Sequence, residues 1–410
     1  MAGIMHTWPG ESPFWLAQRL RPSLNFVFKE VQHPGGRLVL LEVPATTVSP
    51  VEFDGHAYIR ISSATPKLSD YPDRLSALWD RIRPYAWERG MAAQFLSGDE
   101  VLAQLDAASF FTVTGQSRPS QQESILAKLA EERLIETDVG GRWNITNLGA
   151  LLLAFQLDRF DSSIARKGIR FVRYGGNSRA DTVTHRREGQ QGYALDFEDL
   201  AGFINGLVPR NEHIDKAFRT GTALYPAIAI RELVANALIH QDLTITGTGP
   251  LIELFSDRLE ITNPGAPLVN PDRFIDCAPR SRNEALAALM RRMRICEEQG
   301  SGIDKVVRYV ELFQLPAPDF RAEDSATRVV LYAPRRFAEM TTDECIRACY
   351  QHAVLQFISG ARMRNSTLRE RFGIESKNAA QVSRIIRLAL DRKLIRPADP
   401  EKPQAAYVPH

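Results

Sequence analysis

Between Ala227 and Gln241 apolar residues return at helical spacing. Ile230, Leu233, Val234, Ala237 and Leu238 fall on one side at about 100° per residue. Pro226 stands near the first turn, where its missing N–H costs nothing. The opposite side carries Glu232, Asn236 and His240, spaced i, i+4, i+8. A carboxylate and an amide one turn apart can reach the same bound ion or phosphate, although a solvated helix face has the same spacing. The period then shortens to that of strands. Leu251–Phe255 and Leu259–Thr262 flank a turn at Ser256–Arg258, and the second strand runs into Asn263-Pro264-Gly265. Further on, Glu298-Gln-Gly300-Ser-Gly302-Ile303 opens a helix that continues through Lys305 and Val310. Glycines at a helix start let the backbone approach an anion, which the free N–H groups and the helix dipole attract. A pair of ordinary loop glycines has the same pattern. A strand over Arg328–Tyr332 closes this segment.

The flanking regions carry their own patterns. Arg37–Val43 is a strand stopped by Pro44, and the Asp54-Gly55 turn leads into an alternating strand over His56–Ser62. A helix follows over Asp73–Glu88. Residues 95–157 hold two helical stretches, the second opened by the capping box Ser120-Gln-Gln-Glu123. A Gly140-Gly141 turn and a strand at Trp143–Thr146 complete the outline of a winged helix. A strand at Gly168–Tyr174 and a helix at Phe197–Leu207 come next. At the C-terminal end, helices over Asp343–Phe357, Ser366–Phe372 and Lys377–Leu390 precede a wing built from Leu394–Pro397 and Tyr407-Val408. The short, Gly-containing gap between the last two helices fits a helix-turn-helix. In the third helix Val382, Ile385, Ile386 and Ala389 form the core face. Lys377, Asn378, Gln381 and Arg384 face outward, and these residue types contact phosphates and purine edges in the major groove. A small dimerisation domain with a charged face has the same pattern.

Charge sharpens the C-terminal reading. The 410 residues hold 51 Lys+Arg against 49 Asp+Glu, a net charge of +2. Residues 341–410 alone hold twelve against seven, a net +5, which leaves −3 on the rest. A basic stretch at 159–190, with Arg166, Lys167, Arg170, Arg173, Arg179, Arg186 and Arg187, reads as a nucleic-acid track or, in preference, as a solvated sheet face. With 44% hydrophobic and 24% charged residues, disorder and low-complexity scaffolds are excluded for most of the chain. The longest apolar run, Leu148–Phe155, is far short of the ~20 residues of a membrane span. Cys277, Cys296, Cys345 and Cys349 include no C-x-x-C pair, which points to reduced thiols and a cytoplasmic location. His185 and His213 have no partners at metal-ligand spacing.

Seven runs together carry a resemblance: Tyr58-Ile-Arg-Ile-Ser-Ser63, Tyr225-Pro226, Arg231-Glu-Leu-Val-Ala-Asn-Ala237, His240-Gln-Asp242, Ile261-Thr-Asn-Pro-Gly265, Ser281-Arg-Asn283 and Gly300-Ser-Gly-Ile303. The order within them of Glu232-x-x-x-Asn236-Ala237 on a helix, a strand pair into Asn263-Pro264-Gly265, a lid-like stretch, Gly300-x-Gly302 and a closing strand resembles the Bergerat ATP-binding fold of gyrase, histidine kinases and the MutL repair proteins. The closer resemblance is to bacterial transcriptional regulators also labelled RecG-like, which join a Schlafen-type AlbA-like domain to a divergent Bergerat domain. It covers roughly residues 20–335. It implies that Asn236 holds Mg²⁺ with the triphosphate of ATP and that Glu232 polarises an attacking water. Asn263 stands where most relatives have the aspartate that accepts the adenine amino hydrogen. An amide carbonyl can still accept that bond, without the charge assistance of a carboxylate. Gly265 would let the base pack on the backbone, Gly300 and Gly302 would contact phosphate, and His240 would be a hydrogen-bonding residue at the pocket edge. Residues 268–297 would form a lid with Arg280, Arg282, Arg291 and Arg292 as phosphate or partner contacts. No G-x-x-x-x-G-K-[ST] is present, which excludes a P-loop helicase motor. Relatives carry a further N-terminal stretch with acidic residues that this sequence lacks, so a nuclease site is not expected.

The fold expectation is α+β and multidomain: a Bergerat-type α/β sandwich flanked by a partial AlbA-like β-rich domain and winged helices. The expected boundaries are 1–90 (AlbA-like), 91–160 (inner winged helix), 161–338 (ATP-binding) and 339–410 (DNA-binding winged helix). The functional expectation is a nucleotide-dependent switch coupled to DNA binding, with ATP, Mg²⁺, DNA and a second copy of the chain as partners. The alternatives are an ATP hydrolase with Glu232 as general base, and a nucleic-acid-binding scaffold whose pocket has degenerated.

Overall fold

The computed structural model describes residues 16, 18–22, 26–43, 45–46, 49–215, 218–277, 280–296 and 302–410. These form a mixed α+β structure with several separate sheets, in two compact units, residues 1–90 and 91–410. In the first, strands Val27–His33 and Gly36–Glu42 pair as a hairpin, and Leu20–Arg21, Glu52–Phe53 and His56–Ala57 form a second sheet. Asp54 and Gly55 turn the chain with positive φ at both (50° and 78°), as a tight hairpin requires. The strand expected over His56–Ser62 stops at Ala57, because Tyr58 bridges to Lys67 and Ile61 to Ala64 and the chain folds back on itself. Helix Pro72–Arg89 ends the unit.

The second unit opens with an antiparallel sheet in the order Met91–Leu96, Trp143–Thr146, Ile135–Thr137. Three helices accompany it where two were expected: Gly98–Gln104, Ala107–Thr114 and Gln122–Glu131. The capping box also moves. Helix Gln122–Glu131 starts behind Gln121, one residue too late for Ser120 to cap it. The box forms instead at Ser97 and Glu100, whose side chains each accept the other's backbone N–H. Helix Asn147–Leu153 absorbs most of the apolar run and is buried from Leu148 onward.

A six-stranded mixed sheet forms the centre, in the order Val183–Glu188, Arg170–Tyr174, Leu251–Leu254, Arg258–Pro264, Ala326–Tyr332, Asp319–Glu323. Only Arg170–Tyr174 and Leu251–Leu254 run parallel. Pairing Ile252 with Phe171 and Ile261, and Ile261 with Val329, puts one apolar row on one face. Helix Ala227–His240 packs against Arg258–Pro264, and helices Tyr193–Leu207 and Gly302–Leu312 lie against Ala227–His240. The opposite face is charged. Arg179 donates to the buried Glu253 (2.7 Å), and Arg258 donates to the buried Glu260 (2.6 Å), which Arg328 also approaches at 3.4 Å. In the basic stretch, strand Val183–Glu188 is mostly exposed, as a solvated sheet face would be, while Arg179, Arg186 and Arg187 are held in ion pairs and Lys167 is wholly buried.

Helices Thr342–Ile358, Asn365–Phe372 and Ala379–Asp391 end the chain, with a ribbon of Ile395–Pro397 on Tyr407–Pro409. Gly373 stops the second helix in the left-handed region (φ 63°). Val382, Ile385, Ile386 and Ala389 are buried. Cys345 and Cys349 are free thiols, pushed up to about 11 and about 12 by burial. No helix among the described residues is long and apolar enough to cross a membrane.

Candidate functional site

Glu232, Asn236, His240, Asn263 and Gly302 all line one cavity of about 700 Å³, within the usual size range of small-molecule sites. Helix Ala227–His240 supplies the first three. Its polar stripe is not a solvated face: Glu232 is only 6% exposed, because helix Gly302–Leu312 packs across that side. The sheet supplies the floor through Ile261, Asn263, Thr327 and Val329, with Asn263 directly opposite Thr327 in register. Residues between 267 and 296 close the remaining side, among them Leu268, Phe274, Cys277, Arg280 and Arg291.

At Gly302 any side chain would press on the carboxylate of Glu232. A Cβ there would stand 2.8 Å from Glu232 Oε2 and 3.6 Å from Asn236 Nδ2. The first turn of helix Gly302–Leu312 thus presents bare backbone beside a carboxylate and an amide, the geometry in which amides can meet a phosphate. Gly300 lies outside the described residues. Gly265 does not line the cavity, but it is equally constrained. Its φ is 104°, and a Cβ would come within 2.3 Å of Arg282 Nη1 and 2.7 Å of Asp242 Cβ. Thr327 Oγ1 donates to the Gly265 carbonyl at 2.9 Å, fixing the turn after Asn263.

Burial and the Arg282 cation push His240 down to about 4, so it is neutral at pH 7. It can exchange hydrogen bonds with a ligand but brings no charge. Among the lid arginines the structure divides the roles. Arg280 and Arg291 line the cavity. Arg282 lines it too, yet donates to the Ala266 carbonyl at 2.5 Å and so also braces the Asn263-Pro264-Gly265 turn. Arg292 is committed elsewhere, to both carboxylate oxygens of Glu132 at 2.5 and 2.8 Å. The outward set of the last helix, Lys377, Asn378, Gln381 and Arg384, is exposed and does not meet this cavity. Lys377 and Asn378 belong to a short turn, Ser376–Asn378, that leads into the helix, so the helix begins two residues later than its pattern predicts.

Sequence reasoning missed the residues that hold the site together. Asn283 Nδ2 donates to the carbonyls of Ile239 (2.8 Å) and Gln241 (2.7 Å), tying down the end of helix Ala227–His240. Gln241 Nε2 donates to Leu238 O and to Tyr193 Oη, and Tyr193 Oη donates to Lys167 O at 2.8 Å. Lys167 Nζ donates to the Ile245 carbonyl at 2.5 Å, and burial pushes it down to about 8. Asp242 N–H donates to Pro264 O at 2.7 Å. Gln241, Asp242 and Asn283 lie in two of the sequence runs noted above, but spacing alone does not reveal their partners. Among the described residues no group of three or more His, Cys, Asp or Glu could hold a metal ion.

Residues 247–331 match the family described as "Putative ATP-dependent DNA helicase recG C-terminal". This span contains the Asn263-Pro264-Gly265 turn, the residues that close the cavity, and Gly302. An ATPase-like domain is therefore present, and it fits ATP binding. None of the curated proteins compared with the chain matches it. The crystal structure of the DIP2311 protein from Corynebacterium diphtheriae aligns with a TM-score of 0.47 at 17% identity, over 97% of this chain and 79% of that one.

Proposed function

We propose that the chain is a cytoplasmic ATP-binding regulator in which a divergent Bergerat domain controls DNA binding by a C-terminal winged helix. The observation that carries this reading is the convergence of Glu232, Asn236, Asn263 and Gly302, from three separate elements, on one cavity. The residues fit a nucleotide with Mg²⁺. With no side chain at Gly302, the first turn of its helix brings bare backbone up to Glu232 and Asn236 at the cavity wall. The Asn236 amide oxygen is the hard ligand that Mg²⁺ prefers, and phosphates and waters can supply the rest. When bound, the ion would offset triphosphate charge. The protein's own contribution is to orient: Asn263 and Thr327 face the base, and the first turn of helix Gly302–Leu312, with Arg280 and Arg291, faces the phosphates. Binding would order residues 268–297 and so alter the docking of the C-terminal helices and their affinity for DNA. On this reading residues 1–90 are a partial AlbA-like domain, 91–160 an inner winged helix and 161–338 the nucleotide domain.

Titration calorimetry with ATP–Mg²⁺ tests it. The wild type should bind, and Asn236→Ala should weaken binding by about 1–3 kcal/mol, the cost of a lost charge-assisted contact. No heat from the wild type at millimolar nucleotide would refute the proposal. A second reading, a slow ATP hydrolase, is favoured by the position of Glu232, a buried carboxylate lining the cavity beside Gly302. There Glu232 would accept a proton from water. Glu232→Ala should then abolish phosphate release and leave nucleotide binding near that of the wild type; equal release from both proteins dismisses hydrolysis.

A further inference from the structure

Helix Gly302–Leu312 has two working ends. Its first residue lines the cavity, and its eleven residues carry the backbone about 16 Å away. At the far end Glu311 enters a polar cluster that belongs half to the C-terminal helices. The Glu311 carboxylate lies 3.1 Å from His352 Nδ1 and 3.5 Å from Arg371 Nε. His352 Nε2 lies 3.1 Å from Thr367 Oγ1. Arg371 Nη2 donates to Leu315 O at 2.6 Å, and Gln351 Nε2 donates to Pro318 O at 2.8 Å. Arg347 reaches Ala317 O at 3.3 Å and Asp319 at 3.4 Å. The C-terminal helices are thus held to residues 311–319 by hydrogen bonds to the carbonyls of Leu315, Ala317 and Pro318 and by a buried charge cluster.

The cluster also continues outward. Thr367 lies in helix Asn365–Phe372, whose first residue, Asn365, donates to Ala379 O (3.3 Å) and Ser383 Oγ (3.0 Å) of the last helix. An unbroken set of contacts therefore leads from Gly302 through Glu311, His352 and Thr367 to the helix that exposes Gln381 and Arg384. Buried ionic clusters contribute little net stability, but they fix one geometry sharply, since losing one member strands the others. Among the described residues Gln351 Oε1, Arg347 Nη2 and Arg371 Nε are buried there without a hydrogen-bond partner.

We infer that the Glu311–His352–Arg371 cluster is the coupling element through which occupancy of the cavity sets DNA affinity. The inference rests on the reading of the cavity as a nucleotide site and of the last helix as a DNA contact. Ligand bound at Gly302 shifts that helix; Glu311 transmits the shift to His352 and Arg371 and so to helix Asn365–Phe372. By linkage the effect is reciprocal, and DNA must change nucleotide affinity by the same factor.

The experiment uses the full chain. DNA affinity is measured by anisotropy on a mixed-sequence duplex, with and without saturating ATP–Mg²⁺, for the wild type, Glu311→Gln and His352→Gln. The wild type should show a change of about five-fold or more. In each variant the ratio should fall to near one while calorimetric ATP affinity and DNA affinity without nucleotide stay within about two-fold. A purely structural role would instead move the affinities or the melting temperature and leave the ratio intact, and an unchanged ratio in both variants overturns the inference. Two variants guard against one that fails to fold. If the wild type binds neither ATP nor DNA, the underlying reading fails; if it binds both and the ratio is one, only the coupling does.

Discussion

His240 illustrates how a residue's neighbours decide what chemistry it can do. Its ring lies at the end of the Glu232–Asn236 stripe, where burial and Arg282 hold its pKa near 4, against about 6.5 in an unfolded chain. Between pH ~6.5 and ~4 the unfolded state binds a proton that the native state refuses, so stability falls as pH falls through that window. His240→Asn removes the effect. Denaturant unfolding of both proteins across that range should show the wild type losing on the order of 2 kcal/mol relative to the variant by pH 4. Parallel curves would mean that the ring is solvated and titrates normally. At pH 7 the neutral ring leaves Arg280, Arg282 and Arg291 as the cations around the cavity, with Glu232 and Glu284 as the carboxylates that a triphosphate would have to approach. On the proposed nucleotide reading, that balance would make Asn236 and a metal ion, rather than His240, the partners of phosphate oxygen.

A helix end is held by whatever satisfies its last carbonyls, and for Ala227–His240 that is Asn283. Both hydrogens of one amide nitrogen are used, so neither Ala nor Asp can replace it: Ala leaves two carbonyls short of a donor, and Asp would face them with a carboxylate. Asn283→Ala should cost about 1–3 kcal/mol in urea unfolding, with a larger loss for Asn283→Asp. A change within about 0.5 kcal/mol, the range of an ordinary surface substitution, would show that water replaces the amide at no cost. The same element shows what sequence can and cannot reveal. The helical period, the strand pair running into Asn263-Pro264-Gly265 and the core face of the last helix were all legible, because each is a local repeat. The stripe of Glu232, Asn236 and His240 was legible as a set but not as a buried one, since its burial comes from helix Gly302–Leu312 some 70 residues on. The Asn283, Gln241, Tyr193 and Lys167 contacts join residues 42 to 78 positions apart, except within Gln241's own turn and between Tyr193 and Lys167 at 26. Arg292 looked like a lid cation because Glu132, its partner 160 positions away, gives no sign in the sequence. The capping box failed for a smaller reason, a helix start displaced by one residue.

Across the whole molecule the net charge of +2 hides an uneven distribution, and folding draws part of the C-terminal excess inward. Two of the twelve cations in residues 341–410 are turned inward: Arg371 is 7% exposed and held by Leu315 and Glu311, and Arg347 is held by Ala317 and Asp319. The cations that remain at the surface include Lys377 and Arg384, and Asn378 and Gln381 are exposed as well. Lys377 pairs with Glu375 at 2.6 Å, but both are well exposed, and such a pair is worth little and can yield to a phosphate. If this face meets a duplex, two kinds of residue should behave differently. Lys377→Ala and Arg384→Ala should each weaken binding to all sequences and lower the slope of log affinity against log salt by about one, as counterion release requires. Gln381→Ala should leave that slope unchanged and relax discrimination at one base step by about 1–3 kcal/mol. Anisotropy titrations of the full chain over a salt series measure both. Binding that ignores salt, or equal slopes in all three variants and the wild type, would remove this helix from the interface.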